Sequence, residues 1–293
     1  MKQVALVTYS GCPELTDDDR LLVPSLRRRG VEAVPVVWDS PVDWARFDLI
    51  ILRSCWDYHL RADEFIQWIG ELERSCVPLR NSASLVRWNA DKRYLRQLEH
   101  QGARIPQTVW IGNDEEADVN AILESQGWDS AVVKPTVSAS AHRLKRVFKV
   151  EPVVRVKGPA MVQQFIPEVL APGEWSLVFI GGEFSHSVVK VPTPGDFRVQ
   201  SQFGGTARLA QPDPDTVAAA NEIVDALPER PLYARVDGTE DERGFVLMEV
   251  ELIEPVLFLG LGRASARLAE EIVSLLTMHV DAREKAKSGS ALL

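Results

Sequence analysis

The chain has 293 residues, 45% hydrophobic and 26% charged, the balance of a globular protein of about two domains, which excludes a collagen-like, mucin-like or largely disordered polypeptide. With 33 basic against 42 acidic side chains the net charge is -9, so there is no basic field to displace counterions from a nucleic-acid backbone, and nucleic acid is excluded as an expected partner. Cys12, Cys55 and Cys76 are odd in number and lack CxxC spacing, against a disulfide framework or zinc knuckle; no apolar stretch approaches the roughly 18 residues of a membrane span, and the first apolar run is too short for a secretory leader. The expected setting is the cytoplasm, with no membrane partner.

In chain order, Val4–Val7 reads as a buried strand. Thr16 then caps a helix that opens on Asp17, Asp18 and Asp19 and closes on Arg27, Arg28 and Arg29 before Gly30, charges that suit the helix dipole. Val31–Val37 and Leu49–Leu52 are strand-like, and Ala62–Ser75 carries Phe65, Trp68, Ile69 and Leu72 at helical spacing. Such an order predicts a small open parallel α/β sheet, whose ligands gather at the carboxyl ends of its strands, here Tyr9–Leu15 and Arg53–Arg61.

A helix is expected over Lys92–His100, ending at Gly102. Beyond it the strands alternate: Val162–Ile166, Trp175–Ile180, Phe184–Val191, Leu232–Val236 and Phe245–Glu251, with Gly181 and Gly182 making a tight hairpin turn. Asp213–Leu227 and Ala264–His279 are the remaining helices, and the tail from Ala282 is expected to fray.

The residues that carry chemistry lie in the last third. Asp237 ends one strand, while Glu249 and Glu251, two apart, share a face of the next. If the two strands pair, three carboxylates converge, with no adjacent base inside the run. Hard oxygen donors in this arrangement suit Mg²⁺, which keeps waters and nucleotide phosphates in its shell. A solvated acidic edge is the competing explanation, weakened by the apolar neighbours of both glutamates.

Cations for a nucleotide are Lys92, Lys134, Lys190 and Arg198, the sharpest being Lys134, between the apolar run Ala131–Val133 and Pro135. A lysine whose stem covers a sheet edge would look the same. At the tips of the N-terminal sheet, Arg53, Trp56, Asp57, Tyr58 and Arg61 mix both charges with aromatic rings, as a zwitterionic amino acid requires. A helix-entry loop with a packed Trp and a surface ion pair is the alternative.

The ordered set Asn89-Ala90-Asp91-Lys92, Val132-Val133-Lys134-Pro135, Val162–Ile166, Asp196-Phe197-Arg198, Gly204-Gly205, Val236-Asp237 and Met248-Glu249-Val250-Glu251 resembles the ATP-grasp superfamily of carboxylate–amine ligases. Within it, Arg53–Tyr58, Glu183–His186 and Leu247–Pro255 resemble the cycloserine-synthetase branch, cyclo-ligases of O-ureido-D-serine. The resemblance implies an α/β fold, turning α+β in its C-terminal part. An N-terminal open parallel α/β domain (1–88), which binds the acceptor, precedes a two-lobed ATP-grasp domain with mostly antiparallel sheets. Its lid lobe would span 89–167 and its C-terminal lobe, with the metal site, 168–282, leaving a flexible tail at 283–293.

It also implies roles. Lys92 and Lys134 would hold ATP phosphates. Gln163 and the segment Gln164, Phe165, Ile166 would meet adenine, the segment through its backbone, and Glu174 the ribose. Asp237, Glu249 and Glu251 would ligate two Mg²⁺ ions, with Mn²⁺ as a substitute. Arg198, with Lys190, would be catalytic, steadying the transferred phosphoryl group. Two departures stand out: the lid loop Thr136–Arg143 has no glycine and would use Ser138 and Ser140, and Glu251 replaces the asparagine that many relatives carry.

The expected activity is ADP-forming activation of a small amino-acid carboxylate as an acyl phosphate, captured by a nitrogen that belongs, in the cyclo-ligase branch, to the same molecule. An intermolecular amino-acid or peptide ligase and a regulatory nucleotide-binding module without turnover are the alternatives. A homodimer is compatible with the sequence.

Overall fold

The computed structural model describes residues 1–75, 77–139, 141–150, 152–200 and 203–289, with side chains described as far as Thr277. Cys76 and Ser140 therefore lie outside the described residues, as does the end of the expected tail, residues 290–293.

The first unit runs β1 (Lys2–Thr8), α1 (Asp17–Arg20), α2 (Leu22–Arg27), β2 (Val31–Val37), β3 (Leu49–Ser54), α3 (Ala62–Arg74), β4 (Leu79–Arg80) and α4 (Ala83–Asn89). Its sheet is parallel throughout, in the order β2-β1-β3-β4. Alternate side chains of β1 and β3 serve opposite faces. Val4, Leu6 and Ile51 join Leu22, Leu26, Leu268 and Ile272, while Ala5, Val7, Ile50 and Leu52 join Phe65, Trp68, Ile69 and Leu72 of α3. Thr16 caps α1 as expected, accepting from the Asp19 amide at 3.1 Å. The single helix expected up to Gly30 is interrupted at Leu21, because Pro24 has no N–H to donate one turn back.

The second unit comprises α5 (Tyr94–His100), β5 (Thr108–Ile111), β6 (Glu116–Asp118), α6 (Val119–Gln126), β7 (Ser130–Pro135), β8 (Lys145–Phe148), β9 (Arg155–Lys157) and β10 (Ala160–Gln164). Its main sheet, β5-β10-β7-β8, is antiparallel. The helix expected from Lys92 begins only at Tyr94, since the Lys92 amide donates to Thr136 O at 2.8 Å and Asp91 caps Arg93 instead.

The third unit holds β11 (Glu174–Ile180), β12 (Glu183–Val191), β13 (Thr206–Leu209), α7 (Pro214–Asp225), β14 (Tyr233–Asp241), β15 (Gly244–Glu251) and α8 (Ala264–Gly289). Its five antiparallel strands lie in the order β13-β12-β11-β14-β15. Gly181 and Gly182, at φ 62° and 76°, form the expected hairpin turn. α8 runs on to Gly289, well past the expected end at His279, and packs Leu268 and Ile272 into one cluster with Val4 and Leu6 of β1 and Val178 and Ile180 of β11. The last helix thus ties the third unit to the first. Among the described residues no helix is long and apolar enough to cross a membrane.

Candidate active site

β14 and β15 create the floor of the site. They pair with Asp237 opposite Glu249 and Arg235 opposite Glu251, so four charged side chains share one face. A bulge between Asp237 and Gly238 sets this register. A Cβ at Gly238 would lie 2.3 Å from the Phe245 ring and 2.5 Å from Val246 O, so no larger residue fits.

The segment that leaves β15 is held mainly from the first unit. The Asn89 amide group donates to Val250 O at 2.7 Å and accepts from the Leu252 amide at 2.9 Å. Asn81 Nδ2 donates to Leu252 O at 2.8 Å, Tyr233 Oη to Ile253 O at 3.0 Å, Trp56 Nε1 to Glu254 O at 3.1 Å and Arg53 Nη2 to Pro255 O at 2.9 Å. Asp18 accepts from the Leu257 and Leu259 amides at 3.1 and 2.6 Å. Six side chains from remote elements thereby fix the backbone around Glu251 and Glu254.

The charges interlock. Asp237 accepts from Ser176 Oγ at 2.6 Å, Arg235 Nη2 at 2.8 Å and Lys190 Nζ at 3.1 Å. Lys190 also pairs with Glu174 at 2.6 Å, Arg235 with Glu251, and Lys92 with Glu249 at 2.7 Å while donating to Ser138 O at 2.6 Å. Burial would raise the Asp237 and Glu249 carboxyls, yet Arg235 and Lys190 hold the first, and Lys92 and Lys134 the second, below the ordinary range. For Glu251 burial wins against Arg235 and lifts it to about 7. Burial likewise lowers Lys134 to about 8 and raises Glu174 despite Lys190. Glu254, half-buried, is pushed well above the carboxylate range by desolvation and by nearby Glu251.

Most of these groups line a cleft of about 240 Å³. Lys92, Lys134, Lys190 and Arg235 give it positive charge, Glu249 gives it negative charge, Glu251 and Glu254 add two further carboxyl groups, and Trp56, Tyr58, Ser138 and His142 complete its walls. A strip of fixed cations beside hard carboxylates can neutralise a polyphosphate and hold a second anion against it.

Several expected site residues are placed otherwise. Among the described residues no three carboxylates close on one point. The bare acidic trio is corrected to a mixed set, because Arg235, with the same strand parity as Asp237, stands among the carboxylates. The sequence reading missed Arg235, although its two-residue spacing from Asp237 was a usable signal.

Arg198 lies outside the main cleft, bound to Asp196 at 2.7 Å and stacked 3.8 Å over Phe203. Arg53 is no substrate grip: it is sealed in the core, paired with Asp19 at 2.8 Å and lying over the Tyr233 ring. Asp57 and Arg61 satisfy each other at 2.9 Å, Asp57 also accepting from Trp38 Nε1 and Arg61 reaching Asp39 at 2.8 Å. Only Trp56 and Tyr58 of that group line the cleft.

Gln163 is buried, its Nε2 donating to Thr108 Oγ1 at 3.1 Å. The Gln164 and Phe165 amides donate to Gln107 O and Ser130 O at 2.8 and 3.1 Å, so they are not free for a base. The Phe165 ring instead stacks under the Arg146 guanidinium at 3.4 Å, and the Ile166 carbonyl accepts from the Val169 amide.

Fold and cleft together define an ATP-grasp ligase, an ATP-dependent enzyme. Residues 4–81 match the family model of the N-terminal domain of the D-cycloserine synthetase DcsG. The chain is 30% identical to the cycloserine biosynthesis protein DcsG of Streptomyces lavendulae, over 93% of this chain and 98% of that one. The crystal structure of D-cycloserine synthetase DcsG superposes with a TM-score of 0.81 at 26% identity, covering 94% of this chain and 99% of that one. The RimK-domain ATP-grasp protein of Sphaerobacter thermophilus follows at TM-score 0.62 and 19% identity, covering 92% and 99%. The chain belongs to the DcsG family of ATP-grasp ligases.

Proposed function

We propose that the enzyme activates the carboxylate of O-ureido-serine with Mg-ATP and closes the molecule on itself to cycloserine. The carboxylate oxygen takes the γ-phosphoryl group and ADP departs. The ureido nitrogen bonded to oxygen then attacks the acyl carbon, losing its proton to solvent as phosphate leaves and the five-membered ring closes. Water removes the carbamoyl group, which breaks down to CO₂ and ammonia.

The observation that carries this reading is the run of Lys92, Lys134, Lys190 and Arg235 beside Glu249 and Glu251 in one cleft. Lys92 and Lys134 bind ATP phosphates, and Glu174, through its pair with Lys190, lies toward the ribose. Arg235 and Lys190 take over the role expected of Arg198, holding the acyl phosphate oxygens. Asp237, Glu249 and Glu251 are hard oxygen donors on one face; among the described residues they form no three-carboxylate cluster by themselves, but Glu249 and Glu251 line the cleft and would hold Mg²⁺ together with the phosphates, neutralising phosphate charge. Trp56 and Tyr58 wall the acceptor end.

The test is incubation of the pure protein with Mg-ATP and O-ureido-D-serine, its L-enantiomer and a panel of amino acids, singly and in pairs, following phosphate and the masses of products. Cycloserine from one substrate supports the reading. A dipeptide or amide formed only with a second amine would make the enzyme an intermolecular ligase, and absence of amino-acid-dependent ADP would remove the ligase assignment for these substrates.

A further inference from the structure

The cleft's carboxyl groups differ in what they touch. Glu249 pairs with Lys92 and Glu251 with Arg235. Glu254 lines the same cleft, and among the described residues its carboxyl has no cation within ion-pair distance and no hydrogen-bond donor.

Its backbone is as fixed as its side chain is unpartnered. Trp56 Nε1 holds the Glu254 carbonyl at 3.1 Å, Arg53 Nη2 the next carbonyl at 2.9 Å, and Tyr233 Oη the preceding one at 3.0 Å. The backbone that carries the Glu254 carboxyl is thereby held in place at the cleft wall. A partly buried carboxyl kept without a partner is unfavourable, and a cationic group arriving from solution offsets that cost.

Phosphates and the substrate carboxylate would take up the cleft's cations, and among the described carboxyl groups that line the cleft Glu254 alone has no ion-pair partner. An α-amino acid carries its ammonium one carbon from the carboxylate to be activated. Glu254 follows Glu251 by three residues on the segment leaving β15 and lines the same cleft, as does Trp56. Resting on the ligase reading above, we propose that Glu254 takes the ammonium of the substrate amino acid and makes the enzyme prefer zwitterions to simple carboxylic acids.

Calorimetric titration tests this without turnover. Wild-type protein and the Glu254→Gln and Glu254→Asp variants, each with Mg²⁺ and a non-hydrolysable ATP analogue, are titrated with O-ureido-D-serine and with 3-(ureidooxy)propanoate, which lacks only the amino group. Wild type should prefer the amino acid at least tenfold. Glu254→Gln should lose that preference while binding the des-amino acid and the nucleotide within twofold of wild type, and Glu254→Asp should recover part of it.

Equal weakening of both acids by Glu254→Gln, or an unchanged preference, overturns the assignment, as does a wild type that binds neither acid. Binding with the expected pattern but no ADP formation would leave Glu254 assigned and overturn the proposed reaction instead. A Glu254→Gln protein whose melting is no longer cooperative is replaced by Glu254→Asp. Its preference must then fall at least threefold for the assignment to stand.

Discussion

Arg53 donates through Nη2 to the carbonyl of Pro255 at 2.9 Å, joining the end of β3 to a residue 202 positions later in the chain. The same guanidinium is neutralised by Asp19 at 2.8 Å, and both side chains are almost wholly buried. An arginine at the carboxyl end of a parallel strand thus fixes the segment that presents Glu251 and Glu254, instead of meeting a substrate directly.

Arg53→Ala is therefore expected to act on stability before it acts on any one ligand. Removing one partner of a buried pair leaves Asp19 uncompensated, at a cost of about 3–5 kcal/mol. An unfolding free energy lowered by that amount in denaturant titration, with kcat lowered for every substrate tried, is the expected result. A selective rise in the acceptor KM at unchanged stability would return Arg53 to the substrate site.

Glu249→Gln should leave the fold in place and lower kcat by about 10²–10³-fold, since a fixed charge at the phosphate site is lost while its partner Lys92 can still donate to Ser138 O. Asp237→Asn should differ. It removes the buried carboxylate that Arg235 and Lys190 share, leaving each with one anionic partner, Glu251 and Glu174, so melting temperature falls together with activity. Circular dichroism melts beside steady-state rates separate the two; full magnesium-dependent activity in Glu249→Gln would remove Glu249 from the site.

Arg235→Lys keeps the charge but not the planar fork that serves Asp237 and Glu251 at once. The expected outcome is a kcat lowered by about tenfold or more with ATP affinity within a few-fold, because the lost contact is felt by the phosphoryl group in transfer. An unchanged kcat would confine Arg235 to positioning the two carboxylates.

What could be read ahead of the structure follows from the range of the interactions. The parallel first sheet, the β11–β12 turn at Gly181-Gly182 and the facing of Glu249 with Glu251 depend on strand period and local turn chemistry, and those are local properties of sequence. The partners of Arg53, Arg61 and Arg198 could not be read ahead because they are set by the folded chain: Asp19, Asp39 and Asp196 pair with them. Glu254 was hidden for the converse reason, as a carboxyl without a partner leaves no mark in sequence. α4 and α6 went unread, being short helices of modest pattern whose caps, Ser82 and Asp118, are their main signals.

The last prediction concerns Lys134, where binding and stability pull in opposite directions. Burial lowers its ammonium from an ordinary 10.5 to about 8, so in the free protein the charged form is disfavoured relative to the unfolded chain. The sign follows from proton counts. Between pH 8 and 10.5 the unfolded chain holds a proton that the folded protein has lost, so stability rises with pH across that window. Below pH 8 the penalty is complete, on the order of 3 kcal/mol. Lys134→Met should therefore melt at a higher temperature than wild type at pH 7, the gap closing as pH approaches 10.5. The same change removes a charge-assisted phosphate contact of about 1.5–3 kcal/mol, so nucleotide affinity should fall by roughly 10- to 150-fold. A variant that binds ATP normally would place Lys134 outside the phosphate site, and one that melts lower at pH 7 would show that its stem, not its charge, dominates the energetics there.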